Sequence, residues 1–552
     1  MGYLWAVGLL CGLVAHHGIF IRGEWHMRIL HIIAGHAALC TAALYILYCS
    51  RDSWKDSLVV VMRITASYIS SLYTSIIVYR LFFHATSSFP GPKLAGVSKL
   101  WHVFHTLDSK NFRFLQRLHL EYGPVVRTGP NEVSIFHPAA IQVLDEGGSQ
   151  TTKDVWYDVL KPYESAVFTR DVSLHKAWRK SWSQSTSTKC MEIYRPRITA
   201  LAQRAAESIS DYGCAPIDVG EVMSWFSFDV MGDVVFGQDF GLIRSKSLHP
   251  GIGSRDKALS LLGPLEGAIW IARLGFLLNP ILGLAQAWFD MLAFCEEELR
   301  RRIQRAESPS KPDMASFFLQ EHHRNSEIMD KQSRDYLLSG TIVSAVVAGS
   351  DTTRAALVAL CWFLAKYPIH AERVLSEIGG DGNIDAMPHL NGVINEVLRL
   401  APPAMTGNSR ITGPRGLEID GIFIPPFTKV TAPKYPIMRM ESAFMFPDDF
   451  VPERWYSRPE LILDERAFSP FGFGIKLTLA LGNRLCVGKA IARAELCYIA
   501  IALLSRFSIR FAPGYDPCTM WHDMKDQVTA QPGQVICVFE PLGSSLDARK
   551  YM

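Results

Sequence analysis

Two uncharged apolar runs lie within the first fifty residues, Gly2 to Ile21 and Ile29 to Ser50. Each is long enough to cross the roughly 30 Å hydrocarbon core as a helix. A bilayer offers no water to the backbone, so a spanning segment must satisfy its own amides, and these runs have only the helix open to them. A third stretch, Ser57 to Tyr79, has similar length but is interrupted by Arg63. A secretory signal would give way to a polar mature chain after cleavage, whereas here more apolar sequence follows. The sequence therefore predicts two or three retained spans. Short-loop charges favour three: Arg22 and Arg28 outweigh Glu24, Arg51 and Lys55 are balanced by Asp52 and Asp56, and Arg80, Lys93 and Lys99 follow the third run. With the basic loops cytosolic, the N-terminus is lumenal and the main body cytosolic. Two spans with a peripheral third helix would put that body in the lumen.

The anchor is assigned to residues 1–85 and a catalytic body to 86–552. Between them FPGPKLAGVSKLW, Phe89 to Trp101, places prolines around a glycine, which ends any helix and marks a hinge. EYGPVVRTGPNEVSIFHP reads as a hairpin, and His175 to about Phe240 as helix. Leu259 to Leu292 is helical and very apolar; Pro264, Gly275 and Pro280 cut it into pieces too short to span, which favours a surface lying in the headgroup region. Asp335 to Tyr367 reads as one long apolar helix with a polar knot at its middle, followed by a helix around Glu396, short alternating segments from Arg410 to Val430, a Pro-rich stretch to Phe473, and a last helix from about Val487 to Phe507. The fold class is mainly α with a minor β-sheet. A net charge of +3 over 552 residues makes no electrostatic case for nucleic acid. Eleven cysteines, scattered singly with no CxxC pair, read as reduced thiols.

One of those thiols stands out. In SPFGFGIKLTLALGNRLCVGKA, Ser469 to Ala490, Cys486 has Arg484 two residues before it and Gly488 two after. A lone cysteine is most often a buried apolar side chain. Here the arginine, amides freed by glycines and the start of a helix would all stabilise a thiolate. No histidine in the motif could serve as base, and no second Cys or His is close enough in sequence for zinc. A lone thiolate on a glycine-flanked loop suits a metal whose other positions are filled by a macrocycle, which is haem iron.

At this point the chain resembles the cytochrome P450 family, from about Pro90 to the C-terminus, in the manner of its fungal microsomal members. The ligand loop, Phe-x-x-Gly-x-Arg-x-Cys-x-Gly, is joined by three further phrases in the expected order. In AGSDTT, Ala348 to Thr353, the resemblance implies that Asp351 and Thr352 relay protons, while Ala348 and Gly349 leave room for dioxygen and substrate. Glu396 and Arg399, three apart on one helix face, join Arg454 of PERW, Pro452 to Trp455, in the family's structural Glu-Arg-Arg cluster. Arg484, Arg179 in HKAWRKSW, Arg410 and His175 are candidates to hold the haem propionates, which need cationic partners. Phe471 and Gly488 belong to the ligand loop, and Cys486 is the axial ligand of haem b. Pocket candidates are Pro403 to Gly407, including Ala404 and Thr406, with Val346, Val347 and Ala348 on the long helix.

The ligand loop departs from the family pattern. If Ile475 to Gly482 were absent, Phe471, Gly474, Arg484, Cys486 and Gly488 would match at every position; with them, the aromatic position falls on Leu479 and the glycine on Gly482. Either the degenerate loop is genuine and FGFG bulges outward, or the segment is translated intron sequence. The apolar IKLTLALG has no reason to sit beside a haem, which favours the second. Met438 also stands where many fungal members have histidine.

The resemblance implies a membrane-bound monooxygenase inserting one oxygen atom from O2 into a lipophilic small molecule, in fungal secondary metabolism. No dinucleotide fingerprint is present, so electrons come from a separate NADPH-cytochrome P450 reductase in the endoplasmic reticulum membrane, with cytochrome b5 a further partner. Lys489 and Arg493 are candidates for the reductase-facing surface. An isomerase or dehydratase on the same scaffold, and an inactive scaffold, are the other readings.

Overall fold

The computed structural model describes residues 4–51, 53–146, 151–305, 312–378, 384–407, 409–473 and 484–543. Three helices make up the N-terminal region. The first runs from Leu4 to Ala15 and continues as a π-helical turn to Phe20; the second covers Ile29–Arg51, and the third Trp54–Val78 with a π-helical extension to Phe83. The second and third are long and apolar enough to cross a membrane. The first lies along the third, parallel to it: Gly8 approaches Ile64 and Ser67, Gly12 approaches Tyr68 and Ser71, and His16 Nδ1 lies 2.7 Å from Ser75 Oγ. A Cβ on Gly12 would come within 2.6 Å of the Tyr68 carbonyl oxygen, so only glycine allows this contact.

Residues 89–101 are packed down onto the body. Gly91 takes a φ of +151° against Arg127, whose N–H donates to Pro90 O at 2.7 Å. The hairpin appears as strands Val125–Gly129 and Glu132–Ile135. Glu132–Ile135 pairs in parallel with Lys429–Thr431, which pairs antiparallel with Arg410–Thr412, and that strand pairs antiparallel with Thr151–Lys153. This register sets Lys153 directly opposite Arg410.

The helical stretch after His175 resolves into Val172–Ser185, Thr188–Ser210 and Val219–Phe236, broken where Ser187 and Asp218 begin new helices. The apolar run becomes Pro250–Leu265, Ile269–Leu277 and Asn279–Leu282, then Gln286–Gln304. Leu277, Ile281, Leu282 and Leu284 are 51–80% exposed, a contiguous apolar surface of the kind that meets a membrane or partner. The long helix spans Lys331–Lys366. It is apolar enough to cross a bilayer, yet 72% of its apolar window is buried in protein, which makes it the core's axis. Around it pack Val219–Phe236, Pro388–Leu400 and the C-terminal helix Lys489–Leu504.

Candidate functional site

The long helix, the C-terminal helix and the five-stranded sheet enclose a cavity of about 360 Å3. Cys486 enters it just ahead of Lys489–Leu504, its sulfur open to the cavity. Burial pushes the Cys486 thiol up, opposed by the Gly488 amide and the Arg179 guanidinium. Phe471 lines the same cavity, and its carbonyl accepts from Cys486 N at 2.8 Å. Phe471 and Cys486, from the two halves of the ligand phrase, are therefore side by side. Leu479 and the segment Ile475 to Gly482 lie outside the described residues.

Opposite the cysteine, Thr352 faces the cavity and donates to Ala348 O at 2.6 Å. Its neighbour Asp351 points elsewhere, and successive residues on a helix diverge by about 100°. Asp351 is fully buried among Arg255 at 3.5 Å, Arg354 at 3.2 Å, Gln531 Nε2 at 2.7 Å and the Thr529 hydroxyl. Burial pushes its carboxyl up, but Arg255 and Arg354 with the two hydrogen bonds outweigh that and hold it below the usual carboxylate range. The Asp–Thr pair is thus split between a salt-bridged interior and the cavity. Gly349 lines the cavity and also lets the helix approach Met231, whose sulfur would lie 2.1 Å from a Cβ there.

One wall of the cavity is cationic. Arg179 Nη2 donates to Leu485 O at 2.5 Å, Arg484 Nη2 to Thr151 O at 2.9 Å, and Arg410 to Tyr157 Oη and Asp145 Oδ1 at 2.9 and 3.0 Å. Lys153 and Lys434 complete the wall, with the imidazole of His175 beside them. Burial, reinforced by Lys153 and the arginines, pushes His175 down to about 3, and burial with Arg410 pushes Arg484 down to about 10. Among the described residues Asp145 is the one carboxylate within ion-pair distance of this wall.

Several expected pocket residues are elsewhere. Pro403, Ala404 and Ala348 line the cavity, joined by Ala345. Val346 is buried in the core and Val347 packs against it, because both fall on the far side of the helix. Thr406 turns away too: its hydroxyl donates to the Asp526 carboxylate and accepts from Asn111 Nδ2 at 3.2 Å.

Glu396, Arg399 and Arg454 are each fully buried. Arg399 grips Glu396 with two bonds of 2.9 and 2.7 Å, Arg454 Nε reaches it at 3.0 Å, and Trp455 Nε1 at 2.9 Å. The two arginines then bond the carbonyls of Met438, Pro447, Asp449, Met445, Phe446 and Leu461. Met438 serves this cluster through its backbone, which any residue supplies.

The sequence model of the cytochrome P450 family matches residues 90–538. The chain belongs to the cytochrome P450 family. Among its relatives, cytochrome P450 monooxygenase sthD of Phaeosphaeria nodorum is 33% identical over 475 residues, 83% of this chain and 97% of the relative. Tryprostatin B 6-hydroxylase of Aspergillus fumigatus is 30% identical over 549 residues, 95% and 94%. Cytochrome P450 monooxygenase nodW of Hypoxylon pulicicidum is 33% identical over 526 residues, 92% of each. As a P450, the chain is a haem-thiolate monooxygenase that works with a redox partner on a small molecule.

The cavity fits the group that membership implies. Lys153 and Arg410, directly opposite on paired strands, repel unless an anion lies between or beside them. Buried Arg484 Nη1 and Arg410 Nε have no hydrogen-bond partner among the described residues. This wall suits the two carboxylates of a haem, with the thiol of Cys486 available to its iron. Sequence reasoning missed Asp145, Lys153, Tyr157 and Lys434, which tertiary packing rather than local pattern brings to the cavity. Arg255 had a signal: an acid inside an apolar helix demands a buried cation.

Proposed function

We propose that this P450 binds haem b through the Cys486 thiolate and hydroxylates a lipophilic small molecule in the endoplasmic reticulum membrane, with electrons from an NADPH-dependent reductase. The observation that carries the reading is one cavity joining the Cys486 sulfur, the Thr352 hydroxyl and a cationic wall short of anions. Thiolate-bound haem supplies dioxygen activation, one oxygen atom entering the substrate and the other leaving as water. Arg179, Arg410, Arg484 and His175 hold the carboxylates, and Phe471 and Gly488 flank the sulfur. Thr352 faces the cavity with its hydroxyl donating to Ala348 O, and must release that carbonyl to give its hydrogen bond to a group in the cavity. For Asp351 to deliver protons, its carboxylate must first leave Arg255 and Thr529. Glu396, Arg399 and Arg454 lock the segment that carries the ligand loop.

Substrate is met by Ala345, Ala348, Pro403 and Ala404, a wall that selects by shape. Relatives named as monooxygenases and as a hydroxylase support oxygen insertion. The second hollow beside Cys486, about 890 Å3, is lined by Arg179, Arg195, Lys489 and Arg493 and suits an acidic electron donor, the reductase or cytochrome b5. Arg493 is oriented by Asn395 and Asn391 at 2.8 and 2.7 Å. The parallel pairing of the first and third helices supports three spans, residues 1–85, with a lumenal N-terminus and a cytosolic body, 86–552. In membranes containing the reductase, NADPH should reduce the iron under carbon monoxide, and Lys489→Glu with Arg493→Glu should slow this about tenfold. Equal reduction without reductase would overturn the proposal.

A further inference from the structure

The loop joining the first two anchor helices, residues 22–28, sits far in sequence from every catalytic group, yet its side chains are engaged. Arg170 holds both Glu24 oxygens, at 2.6 and 2.7 Å, and bonds Asp158 Oδ2 at 2.8 Å. His26 Nε2 lies 2.9 Å from that same oxygen, and Lys161 reaches Asp158 at 3.0 Å. The side chains of His26 and Asp158 are only 9% and 4% exposed. A loop merely turning the chain between two helices would leave its imidazole in water.

Asp158 and Arg170 belong to a strap, residues 153–170, whose Lys153, Tyr157, Ala166 and Val167 line the cavity. The strap is closed on itself: Lys153 Nζ donates to the carbonyls of Ala166, Val167 and Thr169 at 2.8, 2.7 and 3.0 Å, and Arg170 Nε donates to Lys153 O at 3.2 Å. Its outer side is also bound by Arg273, from the apolar helix Ile269–Leu277, through Val159 O and Lys161 O. The same guanidinium that grips the anchor loop therefore fixes the backbone of a cavity lysine. A second attachment stands at the end of the third helix, where Arg80 donates to Val97 O and Arg127 donates to Arg80 O, at 2.7 and 2.8 Å.

We propose that the 22–28 loop of the membrane anchor is a positioning element of the active site: Glu24 and His26 hold Arg170 and Asp158, and through them fix the strap and the side chains it sends into the cavity. The proposal rests on the haem reading only for what the cavity contains. The anchor then does more than tether the body, and the pocket of a truncated chain differs from that of the full one.

The test uses the full chain in membranes, with haem content first read from the carbon monoxide spectrum. Two quantities are compared among wild type, Glu24→Ala, His26→Ala, Arg170→Ala and the Glu24→Ala/Arg170→Ala double variant: protease cleavage within 154–170, and the affinity of phenylimidazole from its spectral shift. Loss of Glu24 should speed cleavage about tenfold and weaken phenylimidazole several-fold at unchanged haem content, with the double variant no worse than Arg170→Ala. Glu24→Asp should recover part of both. Unchanged cleavage and affinity in Glu24→Ala and His26→Ala, or additive effects in the double variant, would overturn the proposal. If Arg170→Ala fails to retain haem, the two loop variants decide alone. Cleavage needs no haem, so a chain without haem would contradict the proposed function while leaving this test readable.

Discussion

At Asp351 and Thr352, adjacent residues have opposite surroundings, and each carries its own expectation. The carboxyl of Asp351 is held below its ordinary value in the folded state, so in acid the unfolded chain takes up the proton first. The network's contribution is full above about pH 4 and is lost as pH falls through the folded value. Asp351→Asn should therefore flatten the acid side of a stability-against-pH curve measured by thermal unfolding. It also takes from buried Arg255 one of its two carboxylates, with Asp256 at 2.8 Å remaining, a loss of about 1–3 kcal/mol. Thr352→Ala removes a hydroxyl whose hydrogen bond among the described residues is to Ala348 O, so stability should change by less than about 1 kcal/mol while product formation falls roughly 100-fold. The phrase AGSDTT was legible as an unusual polar knot. Which of its residues faced the cavity was not, because that depends on Arg255 and the Thr529–Gln531 strand, which lie on other elements far away in sequence.

Elements read from local pattern came through with shifted ends. The long helix begins at Lys331, four residues before the apolar periodicity starts, because Asp330 caps it by accepting from Ser333 N at 2.9 Å. The hairpin and the helix around Glu396 were legible for the same local reason, and the sheet order was not, since its neighbours come from residues 125–153 and 410–431. The Glu–Arg spacing at 396 and 399 looks like a surface pair until Arg454 joins it inside the protein. Arg454→Ala would leave Glu396 short of one cation and several carbonyls without donors. The loss should be about 3–5 kcal/mol and show as protein that does not retain haem after purification, whatever substrate is offered.

For the whole molecule, the anchor and the ligand loop are where sequence left alternatives open. Charge counting favoured three spans, and the first helix, shorter than the second and third, lies against the third through Gly8. Gly8→Val would set a Cβ about 2.0 Å from Ser67 Oγ. It should detach the first helix, and a glycosylation acceptor fused to the N-terminus, modified in wild type, should be modified in only part of the molecules. In the ligand loop the described residues bring Phe471 and Cys486 together across 474–483, which lie outside the description. The central claim is that Cys486 ligates haem iron beside Phe471. The most direct test is the carbon monoxide difference spectrum of the reduced full-length protein beside Cys486→Ser. The account predicts the red-shifted band of thiolate ligation in wild type and its loss in the variant. Absence of that band from haem-loaded wild type, or its persistence in the variant, would contradict it.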